Sequence, residues 1–476
     1  MGRLRSFLRM LRLSRLAMIG AALTTSAIVA YFALAFGEVF VFRGNPYWGL
    51  VLNMVFPGIA LAGLILIAGG LFLKARAAGT RFSFSALARL AESRRIEGAY
   101  VWQVVATLSL VNVALFALFS YRGYHFTESR EFCGELCHTV MEPEYTVYRL
   151  SPHSEISCAE CHIGSGATWY VKSKLSGMRQ VYAVLTGDYS RPIETPVHNL
   201  RPAREVCEVC HRPEMFLGDR IRVFEHYAAD RENSRSYNVL NMRVGGGGER
   251  APAHGIHWHV SRDEVVRYHA ADERREQIDW IDLRGPNGDH RVWTRPGRPL
   301  VEADLAPGGI RTMDCIDCHN RPTHIFASPQ GALDDLLSLK KIDPAIPWIR
   351  KYGEEILRAS YATTDEARAA IAGLTELYRE REPEAWSERR EAIEAAVAPL
   401  QEVHRAYIYP RMNVGWNTYP SLIGHPAAST MACFRCHDGL MRDGAGEAIT
   451  VDCNSCHAVL AREEESPPIL DVLSGR

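Results

Sequence analysis

Long apolar segments crowd into the first quarter of the chain. Leu16–Phe42, Leu50–Leu73 and Tyr100–Tyr121 each contain few charged residues or none. A helix needs about 20 apolar residues to cross the hydrocarbon core of a bilayer, and each segment is long enough. Three buried helices of a soluble domain would rarely follow one another so closely. The pattern therefore predicts a three-helix membrane anchor over residues 1–121.

Basic residues mark one side of these segments. They precede the first segment and fill the loop between the second and the third: Arg3, Arg5, Arg9, Arg12, Arg15, Lys74, Arg76, Arg81, Arg89, Arg94 and Arg95. By the positive-inside rule both stretches stay in the cytoplasm, so the chain after Tyr121 is exported across the bacterial inner membrane. A cleaved signal peptide is the alternative for the first segment, because Ala33–Ala35 resembles a cleavage site. An apolar run of about 27 residues is long for a signal peptide, so we expect an uncleaved anchor.

Beyond the anchor the pattern changes to shorter elements. Residues 221–310 predict a small β-rich insertion, since Gln277–Arg284 alternates in polarity and a Pro-Asn-Gly turn separates it from His290–Arg295. Residues 331–411 predict helices, and a capping box opens one of them at Thr363. The expected fold class is a membrane-anchored, mainly α-helical and irregular domain with a β-rich insertion.

All twelve cysteines occur in pairs that are followed directly by histidine. The six motifs are Cys133, Cys137, His138; Cys158, Cys161, His162; Cys207, Cys210, His211; Cys315, Cys318, His319; Cys433, Cys436, His437; and Cys453, Cys456, His457. Two residues separate the cysteines in every motif except the first, which has three. In a Cys-x-x-Cys-His motif the thiols bond covalently to haem and the histidine binds its iron. The sequence therefore predicts six covalently bound haems of the c type.

Two other uses of the cysteines compete with this interpretation. They could form a disulfide framework, or they could combine into structural zinc sites. Neither alternative explains the histidine that follows every pair. Haem is attached covalently outside the bacterial cytoplasm, which agrees with the predicted export.

The motifs divide the exported region into modules. Residues 122–220 carry the first three motifs, 311–330 the fourth, and 412–476 form a C-terminal dihaem module. The helical segment 331–411 has no motif, so we expect it to buttress the haem modules.

Each low-spin haem needs a second axial ligand, and twelve of the 18 histidines lie outside the motifs. His257 and His259 flank Trp258 on a predicted strand and would share one face, so we expect one of them, His257, to be a ligand. His425 precedes the fifth motif and is a further candidate ligand. His404 lies on the apolar face of a predicted helix. A packed core histidine and a haem ligand explain this position equally well.

Several features near the first and fourth motifs occur together. The first motif follows an apolar segment directly, Met141 lies shortly downstream, His153 stands five residues before Cys158, and the fourth motif has the sequence CIDCHNRPTH. Together they resemble the NapC/NirT family of membrane-anchored multihaem cytochromes c, which are quinol dehydrogenases. The resemblance covers residues 100–220 and 311–330.

The resemblance implies roles for particular residues. Met141 would be an axial ligand of the first haem, His153 the distal ligand of the fourth, and His324 that of the second or third. Lys174 falls where relatives place a lysine beside the quinol site, although a lysine that contacts phospholipid is an equal alternative. Val181 stands where relatives carry an acidic residue, so the proton acceptor is sought near the first haem, among Glu135, Glu142 and Glu144.

Three departures separate this chain from the short members of the family. The first motif has an extra residue, the predicted anchor has three helices instead of one, and two haem motifs are added at the C-terminus. With these additions the chain is similar to the inner-membrane quinol oxidases of metal-respiring bacteria.

These features predict a quinol dehydrogenase. Quinol would dock at the outer leaflet of the membrane beside the first haem, and a periplasmic cytochrome or reductase would accept the electrons. One alternative is an electron-transfer subunit of a larger membrane complex. Another is a multihaem reductase with an open haem site. The sequence is also compatible with electron flow in the reverse direction, from the periplasm into the quinone pool. The net charge of −1 argues against a nucleic-acid partner.

Overall fold

A computed structural model describes residues 7, 9–40, 55–93, 121–136, 138–197, 200–212, 218–245, 254–298, 309–424 and 432–475. The chain forms two compact units, Met1–Cys137 and His138–Arg476. The first unit holds the apolar helices, and the second holds every haem motif from Cys158 onward.

The first unit contains helices α1 (Arg15–Phe40), α2 (Phe56–Ala77) and α3 (Phe84–Ser93). Helices α1 and α2 pack closely because glycine lies at their contact. A Cβ atom at Gly70 would come 2.7 Å from the backbone nitrogen of Ala17, so a larger residue there would push the helices apart.

Among the described residues, α1 and α2 are long and apolar enough to cross a membrane. Helix α2 has Pro57 in its first turn and extends to Ala77, past the end of the predicted segment Leu50–Leu73, of which residues 50–54 lie outside the described residues. The third predicted segment, Tyr100–Tyr121, lies outside the described residues except for Tyr121.

The second unit begins with helices that border the haem motifs. They are α4 (His138–Arg149), α5 (Cys158–His162), α6 (Ala167–Thr186) and α7 (Ala203–Cys207). The Ser157 hydroxyl caps α5 by accepting a hydrogen bond from the Glu160 backbone N–H. Helix α6 ends at Gly187, whose φ of +75° suits glycine.

Among the described residues, eight strands form two antiparallel sheets. Their order is β1-β2-β8 in the first sheet and β6-β3-β4-β5-β7 in the second. The strands are β1 (Arg220–Tyr227), β2 (Arg235–Met242), β3 (Val265–Ala270), β4 (Ile278–Arg284), β5 (His290–Thr294), β6 (Ile310–Thr312), β7 (Arg442–Asp443) and β8 (His457–Glu464). Because β7 and β8 come from the C-terminal dihaem segment, that segment and the predicted β-rich insertion share both sheets.

The hairpin predicted around the Pro-Asn-Gly turn is confirmed. Strands β4 and β5 are antiparallel neighbours, with Arg284 opposite His290 at the turn. Gly288 has a φ of +81°, a conformation that favours glycine. The apolar residues between the strands form a small core: Val266, Tyr268, Ile278, Ile281, Trp293 and Met441.

Among the described residues, five consecutive helices after the fourth motif pack around the largest apolar core. They are α8 (Pro329–Ser338), α9 (Ile349–Arg358), α10 (Thr364–Ala372), α11 (Leu374–Arg381) and α12 (Pro383–Tyr407), and a last helix, α13, spans Pro468–Ser474. The predicted cap is confirmed, since the Thr363 hydroxyl accepts a hydrogen bond from the Glu366 N–H at 3.1 Å. Wholly enclosed side chains include Leu333, Leu337, Ile393, Leu400 and Tyr378.

Candidate haem and quinol sites

The described cysteines bear on the alternatives to haem attachment. Cys137 lies outside the described residues, and the structure shows no disulfide bond among the other eleven cysteines. Nor do the described histidine, cysteine, aspartate and glutamate residues form any cluster of three or more that could hold a metal ion.

Each described motif folds as a short helical turn. In the third, fourth and fifth motifs the histidine N–H donates to the carbonyl oxygen of the first cysteine: His211 to Cys207 at 2.7 Å, His319 to Cys315 at 2.8 Å and His437 to Cys433 at 3.0 Å. This bond closes one turn, so both thiols and the histidine of a motif lie around one short loop of backbone. The motif sequence therefore builds its own attachment geometry locally.

Four motif histidines each face a second histidine. The distances between ring centres are 6.2 Å for His162 and His324, 5.9 Å for His211 and His153, 6.4 Å for His319 and His257, and 5.8 Å for His437 and His259. An iron atom between two imidazoles needs metal–nitrogen bonds of about 2 Å, which places the ring centres roughly 6 Å apart. The spacing of the four pairs therefore fits haem iron with two histidine ligands.

Burial also favours the protonation state that binds metal. Burial lowers the pKa of His257, and the neighbouring His319 lowers it further. Burial likewise lowers the pKa of His259. A neutral imidazole is the form that ligates iron, so both side chains are suited to that role.

The contact of His153 differs from the one that the resemblance implies. The resemblance assigned this residue to the fourth haem, but the structure places it against His211 of the third motif. The fourth motif histidine, His319, is already faced by His257. His324 lies against His162, one of the two alternatives that the resemblance left open.

The prediction for His257 and His259 was wrong in its geometry. The two residues lie on a 3₁₀ helix, Ile256–Val260, instead of a strand. A 3₁₀ helix has about three residues per turn, so side chains two positions apart point in different directions. As a result His257 faces the fourth motif and His259 faces the fifth, and sequence reasoning missed His259. The repeat of histidine at two-residue spacing between motifs was the available signal.

Two other histidines were considered as ligands, His404 and His425. His404 is 3% exposed and packs edge-on against Tyr361, with 5.6 Å between ring centres. Burial lowers its pKa, as expected for a neutral core residue. The other predicted ligand, His425, lies outside the described residues.

The second, third and fourth motifs are neighbours in space. Burial raises the pKa of the Cys161 thiol of the second motif, and Cys207 of the third motif raises it further. A hydrogen bond joins the side chains of Cys207 and Cys315, which connects the third motif to the fourth. The Arg204 N–H also donates to Asp314 Oδ2 at 3.3 Å, just before the fourth motif.

The series continues to the C-terminus. Arg435, inside the fifth motif, is 7% exposed and donates a hydrogen bond to the carbonyl oxygen of Asp317, inside the fourth. Burial raises the pKa of Cys456 of the sixth motif, with a further contribution from Cys433 of the fifth. Motifs two to six therefore follow one another in space in the order of the sequence.

The residues predicted for the quinol site lie on two helices and one short turn. Glu142 is exposed on α4, beside the half-buried Met141. Lys174 lies on α6 with its Nζ 4.7 Å from the centre of the Tyr170 ring. Glu135 lies in a π-helical turn of the first unit, Phe132–Leu136, which also contains Cys133. The structure thus separates Glu142 and Lys174 onto different helices of the second unit.

Helix α6 exposes an apolar face. Five residues at helical spacing are exposed, the most exposed of them at 81%: Val171, Leu175, Met178, Tyr182 and Leu185. The helix also carries Lys172, Lys174 and Arg179 and has no acidic residue. Cations beside an exposed apolar stripe suit a helix that lies in the interface of an anionic membrane.

Comparison with known proteins agrees with this chemistry. A family model described as the NapC/NirT cytochrome c family, N-terminal region, matches residues 96–212. The cytochrome c-type protein ImcH of Geobacter sulfurreducens is 41% identical over 460 residues, which cover 94% of this chain and 87% of ImcH. The cytochrome c nitrite reductase subunit NrfH of Nitratidesulfovibrio vulgaris is 31% identical over 107 residues, 22% of this chain and 64% of that subunit. No solved structure matches the chain.

Proposed function

The chain belongs to the NapC/NirT family of membrane-anchored cytochromes c, electron-transfer proteins with covalently bound haem c, and from this premise we propose that it is a quinol dehydrogenase of the bacterial inner membrane. It takes electrons from the quinol pool and passes them through six haems to a periplasmic cytochrome or reductase. A three-helix anchor with a cytoplasmic N-terminus and a periplasmic haem domain is part of this proposal.

The observation that carries the proposal is the succession of motifs in space. Motifs two to six adjoin one another in chain order, and four of them offer two histidines at the spacing of a haem iron. Haem bound at these motifs supplies one-electron transfer between neighbours. The residues of the chain hold the sites in a fixed series, as Arg435 does between the fourth and fifth motifs.

The quinol site is assigned to the region of α4 and α6. The apolar face of α6 would lie in the outer leaflet, where quinol is dissolved, and would bring Lys174 to the headgroup level. Met141 would ligate the first haem. Glu142 is exposed to solvent on the same helix as Met141, so it can accept a proton that quinol releases and return it to water.

The test is anaerobic visible spectroscopy of the purified full-length protein after addition of a reduced menaquinone analogue. We expect the ferrous c-haem bands to grow. Lys174→Ala should slow their growth by roughly tenfold or more, as expected for removal of a charge that orients a substrate. Met141→Ala should alter the spectrum of one haem as well as the rate, because it removes an iron ligand.

Lys172→Ala is the matched control, since Lys172 lies on the same helix and contacts Trp169, with its Nζ 4.6 Å from the ring centre. This variant should reduce as fast as the parent protein. Complete reduction by dithionite with none by quinol would contradict the proposal, and so would equal effects of the two lysine variants.

A second candidate is an electron-transfer subunit whose partner handles quinol. It is favoured by the relative from Nitratidesulfovibrio vulgaris, which is named as a subunit of a reductase. In that case quinol would reduce the haems only after the partner is added back to the isolated protein.

A further inference from the structure

A buried carboxylate lies against the imidazole that faces the second haem motif. Glu144 lies on α4, and its side chain is 13% exposed. One of its carboxylate oxygens is 3.2 Å from His324 Nδ1, and its backbone carbonyl oxygen is 2.9 Å from the same nitrogen. The carboxylate oxygen and the backbone carbonyl oxygen of Glu144 can only accept a hydrogen bond, so the Nδ1 atom of His324 carries the proton. The other ring nitrogen, Nε2, is then free of a proton and able to bind metal.

An arginine fixes this carboxylate from the other side. Arg321 Nη1 donates to both oxygens of Glu144, at 3.1 and 3.0 Å, and the arginine side chain is 7% exposed. The guanidinium also lies over the Tyr419 ring at 3.8 Å from its centre and over Phe326 at 5.5 Å. The guanidinium therefore contacts aromatic rings as well as the Glu144 carboxylate.

We propose that Glu144 and Arg321 are positioning residues that orient His324 and set the reduction potential of the haem at the second motif. Ferric haem carries one more positive charge than ferrous haem, so the negative charge of a carboxylate 3.2 Å from a ligand imidazole favours the ferric form and lowers the potential. The Arg321 cation acts in the opposite direction. This inference rests on the haem pairing of the proposed function but not on quinol oxidation.

Glu144 lies on the helix that begins in the first haem motif. Helix α4 begins at His138 of the first motif and carries Met141, and Glu144 follows one turn later. One helix therefore links the first haem motif to the second-motif partner His324. Because the potential of a haem sets the driving force of electron transfer to it and from it, the Glu144–Arg321 pair would control transfer through the haem at the second motif.

The experiment is a spectroelectrochemical titration of the full-length protein with all its haems, at pH 8. Glu144→Gln should move a single component of the titration to higher potential, since it removes the negative charge and leaves Arg321 unpaired. Arg321→Gln should move the same component to lower potential. Electron paramagnetic resonance of the oxidised protein should show altered g values for one haem in both variants.

A second buried ion pair provides a matched control. Arg350 Nε lies 3.0 Å from Asp334 Oδ1, and their side chains are 6% and 12% exposed, but they lie on α8 and α9, which carry no haem motif. Asp334→Asn should lower stability and leave every potential unchanged.

Opposite shifts in the two variants are the decisive result. The inference is overturned if Glu144→Gln leaves all potentials where they were, or if both variants move the same component upward, as general loosening of the site would do. A normal titration without reduction by quinol would count against the proposed function and not against this inference.

Discussion

The helical region α8–α12 and the region of the haem motifs are held together in different ways. The helices surround their own apolar core, in which Leu333 and Leu400 are fully enclosed. The motif region consists of short helical turns instead, such as Cys158–His162 and Cys453–Ser455, which carry the residues that bind haem. A segment that buries little of its own apolar surface cannot offset the entropy of folding. We therefore expect α8–α12 to be stabilised by its own side chains and the motif region to depend on bound haem for its core.

The largest effect is expected when one haem is removed from the motif region. Cys318→Ser deletes a covalent attachment in the fourth motif, where burial raises the pKa of the thiol to about 11. We expect loss of that haem, measured as haem per chain by pyridine haemochrome assay, and rapid proteolysis around the motif. The α8–α12 fragment should stay resistant to protease.

The matched control is Leu337→Ala in the helical core, where the side chain is fully enclosed. It should cost about 2–5 kcal/mol of local stability through the cavity it leaves, with full haem content. If Leu337→Ala lowered haem content as much as Cys318→Ser did, the two regions would share one cooperative core and the comparison would fail.

A smaller effect distinguishes the histidines of the two regions. His259 faces the fifth motif and His404 is packed among helices. Changing His259 to alanine should convert one haem to a high-spin form, visible by electron paramagnetic resonance, because the iron loses its second ligand. His404→Ala should affect stability alone. A low-spin spectrum for both variants would remove His259 from the set of ligands.

The smallest effect concerns pH and Asp282 on strand β4 of the second sheet. Burial by itself would raise the pKa of the Asp282 carboxyl, but hydrogen bonds from Arg267 and His290 and the charge of Arg284 lower it below its usual value. The stabilisation is therefore complete above the ordinary aspartate pKa of about 4 and is lost as pH falls below it.

Asp282→Asn should accordingly lower the melting temperature at pH 7 and have little effect at pH 3, with circular dichroism as the measurement. We expect the difference at pH 7 to be about 1 kcal/mol, since Arg284 and His290 are exposed partners. An equal loss at both values of pH would assign the effect to packing instead of charge.

Much of the site could be read from the sequence because its chemistry is local. Thioether attachment needs two thiols and a histidine at short fixed spacing, so the motifs are visible without a fold. The hairpin at Gly288 and the cap at Thr363 are also local, and both were predicted. Distal ligands have no such rule. His324 faces His162 although the two stand in different thirds of the chain, and two loops had to fold together before either could be assigned.

The assignment of His257 and His259 failed for a specific physical reason. The sequence around Trp258 alternates as a strand would, but the segment folds as a 3₁₀ helix after Gly255, whose φ is +67°. Two histidines expected to share a face therefore point to different motifs. The predicted β-rich insertion likewise gained strands β7 and β8 from the C-terminus, and pairing between such distant segments leaves no periodic signal.

By itself the sequence determined the motifs that bind haem covalently and the apolar segments long enough to cross a membrane, and its resemblance to NapC/NirT cytochromes c was visible in it, because thiol spacing and apolar length act within one stretch of chain. The tertiary structure alone decided which histidine faces which motif, that motifs two to six adjoin in order, and that Glu144 and Arg321 enclose His324. These depend on which distant segments share a buried volume, and that is settled by packing and hydrogen bonding over the whole fold.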